Sequence, residues 1–148
     1  MKKFVFTNEK FYGIKEKEFE RLKLDMGNVD KEIDTATAAL AELEDRFSAE
    51  RAAFAAACKE GVGAGELMNY QGFFEFLKEQ QAEVRSRLAQ LVRRKQALAD
   101  ALAKVNNELK VLDEMREEQY QEYCKEVAAE EAKELETTMS FSIYEKAV

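Results

Sequence analysis

Proton transfer near neutral pH is the chemistry most readily read from a sequence, and its usual carrier, histidine, is absent from all 148 residues. The 30 carboxylates recur along the chain at helical spacings. They fall on solvated helical faces instead of converging on a pocket, so no metal site is expected. The one glycine-rich stretch is Gly61-Val62-Gly63-Ala64-Gly65. It lacks the third glycine at the dinucleotide spacing, a preceding strand, and the Lys-Ser or Lys-Thr of a phosphate-binding loop, and so reads as a turn. Two cysteines, Cys58 and Cys124, remain. In the fold argued below they lie at opposite ends, on the order of 80 Å apart at 1.5 Å per residue. A disulfide needs Cα atoms within about 7 Å. Free thiols in a reducing compartment are expected. Nothing here implies a cofactor or an enzyme.

The elements that position these residues are helices. The chain has no proline, only six glycines, and 36% charged residues. The remainder is rich in Ala, Glu, Lys, Leu, Gln and Arg, which lose little side-chain freedom in a helix. That composition is usual for a coiled coil, which buries a seam and not a sizeable core. The net charge of −7 argues against nonspecific binding to nucleic acid or to an acidic membrane. No apolar run approaches the roughly 20 residues that span a bilayer, so stable membrane insertion is not expected. The opening Met1-Lys2-Lys3-Phe4 lacks the apolar region of a signal peptide, and a cytoplasmic location follows as the expectation.

Apolar spacing gives the layout. Phe19, Leu22, Met26, Val29, Ile33, Ala36, Leu40, Leu43, Phe47, Phe54 and Ala57 step by threes and fours, with Glu50 the one polar break. This is a heptad stripe sustained over more than five heptads. A second stripe runs Tyr70, Phe74, Leu77, Gln81, Val84, Leu88, Leu91, Lys95, Leu98, Leu102, Val105, Leu109 and Leu112. The spacing predicts an all-α fold: a long antiparallel two-helix coiled-coil hairpin forming a single domain over residues 1–148. Its first helix covers about 8–59, its turn 60–65 and its second helix about 66–136, with a tail at 137–148. With the turn at Gly63, Lys95 falls near Glu32, and that contact would rationalise a polar residue in the seam. The basic stretch from Lys10 to Lys23 falls opposite the acidic stretch from Glu108 to Glu118. The second helix outruns the first, so a C-terminal overhang over 125–136 has no partner within the chain. The tail alternates apolar and polar residues through Met139, Phe141, Ile143 and Tyr144, a strand-like period, and is expected to be disordered alone.

Three groups are candidates for binding. Arg85, Arg87, Arg93, Arg94 and Lys95 form a basic run. It is either a solvated face paired with Glu32, Asp34, Glu42 and Glu44, or a docking site for an acidic partner. It lacks the interleaved aromatics of a nucleic-acid site. Phe73 and Phe76 fall off the stripe beside Tyr70 and Phe74; they either thicken the turn end against Phe54 or form a protein-binding patch. Tyr120, Tyr123 and Val127 lie beyond the strong stripe. They either pack on Phe4, Phe6 and Phe11 or belong to a docking surface.

These residues carry a resemblance. The opening Lys2-Lys3-Phe4-Val5-Phe6, and Met68-Asn69-Tyr70-Gln71-Gly72-Phe73 followed by Leu77 after a small-residue turn, are similar to stretches in the flagellar export family FliJ. Length and two-helix layout agree with that family over nearly the whole chain. The resemblance implies a stalk-like coiled coil of the flagellar type III export apparatus, peripheral to the inner membrane. It implies three partners: the hexameric export ATPase, whose assembly and activity it promotes; the cytoplasmic domain of the export gate; and export chaperones. The family's gate contact maps onto Phe73 and Leu77, with Gln80 and Val84 farther on; Phe76 joins them from the aromatic patch. The end carrying both termini, with Phe4, Phe6, Phe11, Tyr120, Tyr123 and Val127, would meet the ATPase. One departure is the apolar stretch from Met139 to Tyr144, where many family members carry a charged tail. Two rival readings are the equivalent stalk of a virulence-type secretion system and a generic coiled-coil scaffold that self-associates through the overhang.

Overall fold

The computed structural model describes residues 2–147. Two helices account for nearly all of them, α1 (Glu9–Glu60) and α2 (Ala64–Ala147), and no strand occurs among the described residues. They pack antiparallel, as the two stripes require. α1 starts where Asn8 caps it: the Asn8 carbonyl accepts from the Tyr12 amide at 2.9 Å, and Glu9 places an acid in the first turn. α1 ends where Gly61 takes a φ of 95°, the left-handed conformation in which a side chain would be strained. The turn occupies only residues 61–63, narrower than the expected 60–65. Gly63 already serves as the cap of α2, its carbonyl accepting from the Leu67 amide at 3.0 Å. Gly65 lies within the first helical turn, because glycine weakens a helix without forbidding it.

Packing separates the chain into two units. One takes in Arg21–Leu102; the other takes in residues up to Glu20 together with residues from Ala103 onward. In the first, Val29, Leu77 and Leu91 are buried and form the centre of the seam. Phe47, Phe54, Tyr70 and Phe74 interlock across it, with Phe47–Phe74 centroids 5.3 Å apart and Phe54–Tyr70 5.2 Å apart. Gln81 is buried in the seam, and its Nε2 donates to the Leu43 carbonyl at 3.4 Å. In the second unit, Phe6, Val105 and Leu112 are buried. Each such aliphatic or aromatic side chain contributes on the order of 1.5–3 kcal/mol.

Lys95 does not sit in the seam. Its side chain is half exposed and pairs with Asp30 at 2.7 Å, while Glu32, the expected partner, pairs with Arg87 at 3.0 Å. A lysine stem can lie along the seam edge and carry its ammonium to water, where the nearest carboxylate takes it.

The C-terminal stretch also differs from expectation. α2 continues unbroken through 137–147, and residues 128–147 are all exposed. The alternation of Met139, Phe141, Ile143 and Tyr144 would favour a strand only if another strand supplied hydrogen bonds. A helix satisfies its own backbone, and with no Gly or Pro to stop it, an established helix propagates at small cost per residue.

Candidate docking surfaces

Near the turn, the off-stripe aromatics meet. Phe73 and Phe76 stack with centroids 6.4 Å apart and planes at 27°. Phe76 is 49% exposed; Phe73 is half-buried, with the Arg46 guanidinium 5.8 Å over its ring. A cation over a ring face holds that ring in place. Gln80, one turn beyond Phe76, is half-buried. Leu77 is fully buried and has no surface to offer a partner. Val84 is half-buried beside a shallow groove floored by Ala36, Ala39 and Leu91, where small residues of α1 leave space. Two further apolar side chains here were not singled out in the sequence: Leu67 and Met68 are 47% and 71% exposed. Their signal was present: Met68 is a large apolar residue off the α2 stripe, and Leu67 continues the stripe one step before Tyr70.

The basic run divides. Arg85 pairs with Glu44 at 3.5 Å and Arg87 with Glu32 at 3.0 Å, both across the hairpin. With Lys95 on Asp30, three of the five cations lie on a solvated, paired face. Arg93 and Arg94 form no ion pair among the described residues.

In the unit that holds both termini, residues 2–6 form no helix or strand and contact α2. The Phe4 ring packs against Tyr120 and Tyr123 at centroid distances of 5.3 and 5.5 Å. The Tyr123 hydroxyl donates to the Lys2 carbonyl at 2.7 Å. Both the amide and the hydroxyl of Thr7 donate to Gln119 Oε1, at 3.2 and 3.1 Å. Phe6 turns into the seam and is buried, so it holds the fold and is closed to partners. Phe11 is 50% exposed, with the Lys15 ammonium 5.5 Å over its ring. Val127 lines an open groove of about 1200 Å³ whose walls carry Lys2 and Lys3 on one side and Glu122, Glu126 and Glu130 on the other. The roles of Thr7 and Gln119 left no mark in the sequence, because a single polar pair between distant segments has no periodic signature.

Electrostatics here serve structure. Lys15 bonds Glu108 at 2.6 Å and Glu18 at 3.2 Å. These bonds push the Lys15 ammonium above its ordinary range, and Lys15 holds the Glu108 carboxyl below the usual carboxylate range. A hydrogen bond to Asp113, with some burial, raises the Tyr12 phenol, and the Cys124 thiol beside Tyr120 raises that phenol. No group of carboxylates and thiols able to hold a metal occurs among the described residues. Cys58 and Cys124 are free, the former exposed. Among the described residues, no helix is long and apolar enough to cross a membrane.

The fold is an all-helical hairpin that carries exposed aromatics near its turn and at its terminal end. A family model described as Flagellar FliJ protein matches residues 9–139, and the chain belongs to that family. It is thus a component of flagellar protein export, in a family whose role is not enzymatic. No curated protein and no solved structure gives a significant match.

Proposed function

We propose that the protein binds and stimulates the flagellar export ATPase, contacts the cytoplasmic domain of the export gate, and handles export chaperones. In this reading it works in the cytoplasm at the inner-membrane export apparatus. The observation that carries it is the Phe73–Phe76 stack, off the seam, with Phe76 exposed and Phe73 half-buried. An exposed ring stacked on a neighbour that a cation holds in place is suited to anchoring a protein partner. The gate would meet Phe73, Phe76 and Gln80, with Val84 at the margin. The ATPase would meet the terminal surface of Phe11, Tyr120, Tyr123 and Val127, part of which the Phe4 ring covers.

The deciding experiment is ATP hydrolysis by the cognate export ATPase with and without the protein, alongside sizing of the ATPase. Stimulation together with ring formation is the expected result. A well-folded protein that changes neither rate nor assembly would overturn the ATPase role and leave a scaffold or chaperone escort.

A further inference from the structure

Where α2 passes the start of α1, the face that continues its seam is covered by something other than a helix. Residues 2–6 lie there without regular secondary structure, and Thr7 and Asn8 turn the chain into α1. The attachments of residues 2–5 are few. Phe4 sits against Tyr120 and Tyr123, and the Lys2 carbonyl accepts from the Tyr123 hydroxyl. Val5 is 76% exposed. Lys2 and Lys3 share a groove with Glu122, Glu126 and Glu130, yet among the described residues no ion pair within 4.0 Å ties them to it. The firm anchors come later, in buried Phe6 and in Thr7 with its two bonds to Gln119. A non-helical segment with so little burial gains little to offset the entropy of being fixed.

We propose that residues 2–5 are a displaceable strap. They act as a built-in pseudo-ligand covering the Tyr120–Tyr123–Val127 face, and the docking segment of the ATPase competes with them for it. The proposal rests on the terminal docking surface assigned above and adds its regulation. The face's requirements are read from its occupant: an aromatic ring for the two tyrosines, a carbonyl for the Tyr123 hydroxyl, and positive charge toward the glutamate wall. The competing segment is therefore basic with an aromatic anchor. A strap closed in about four molecules of five weakens apparent binding about fivefold, because only the open fraction is competent.

The test uses the full chain, Phe4→Ala, and a deletion of residues 2–4; both variants keep Phe6 and Thr7. Affinity for the cognate export ATPase is measured for all three, with hydrogen exchange on the free proteins. Both variants are expected to bind about fivefold more tightly. Exchange is expected to quicken at Thr7 and stay slow in α1 and α2. Equal affinity in all three would overturn the strap while leaving the docking surface intact. Weaker binding by the variants would make residues 2–4 part of the docking surface and overturn the competition. Loss of protection through α1 would show a structural element and overturn it too. Binding by none of the three would sink the docking surface itself, and the strap with it.

Discussion

At the scale of single residues, the structure separates side chains that make the fold from those free to do something else. Lys15 and Glu108 belong to the first group. The Glu108 carboxyl is held below its ordinary range by the Lys15 ammonium, so the unfolded chain takes up this proton first as pH falls. The pair's contribution is therefore present above the ordinary carboxylate range, about pH 4, and is lost as pH drops through the lower folded value. At the alkaline end, the raised Lys15 makes its contribution fade as pH rises through the folded lysine value. Glu108→Gln is expected to lower the melting temperature slightly at pH 7 and to leave it unchanged near pH 2. A thermal unfolding series across pH checks this; equal losses at both pH values would show that the ion pair is not the cause. The same contrast separates Leu77 from Phe76, neighbours in sequence with opposite exposure: one closes the seam and the other stands out of it.

At the scale of elements, the glycines show which backbone positions need them. Gly61 is the one with positive φ, and a side chain there would be strained whatever space surrounds it. Gly27 lies in the interior of α1, and a Cβ added there would meet nothing within 4 Å. Gly27→Ala is accordingly expected to stabilise the protein by about 0.5–1 kcal/mol, since alanine costs less to order in a helix. Gly61→Ala is expected to destabilise by about 1–2 kcal/mol. Denaturant midpoints measured for both variants decide the matter, and a destabilising Gly27→Ala would mean that this position touches something. Helix continuation is the other lesson at this scale. Spacing alone reads 137–147 as strand-like, but a helix needs no partner for its backbone and a strand does.

For the whole molecule, partner contact should be separable from folding. Replacing both Phe73 and Phe76 with alanine is expected to weaken binding to the gate's cytoplasmic domain by at least tenfold. Hot-spot aromatics commonly contribute about 2 kcal/mol or more when truncated. Helicity should be retained, because the stack lies outside the seam. Leu77→Ala, by contrast, is expected to cost about 2–5 kcal/mol of stability. Circular dichroism paired with a gate-binding assay reads both effects. Unchanged gate binding by the double variant, or its loss of helicity, would count against the turn-end patch.

The sequence by itself determined the fold class, because a heptad stripe is local and repeated many times, so no single misread residue disturbs it. It also determined the turn, since three glycines in five residues are costly to hold in a helix, and it left no histidine for neutral-pH chemistry. The pairing register followed to within about a helical turn, and Phe73 and Phe76 stood out simply by being apolar off the stripe. Tertiary structure alone decided the rest. Whether Lys95 meets Glu32 or Asp30 turns on how the side chains lie at the seam edge, and a registry argument is coarser than that. Which of Phe4, Phe6 and Phe11 would be buried depended on the path of the non-helical chain before Asn8, by which Phe6 enters the seam while Phe4 reaches the tyrosines. Nothing periodic encodes that arrangement. It arises from contacts between residues more than a hundred positions apart, whose energies exist only once the hairpin has closed.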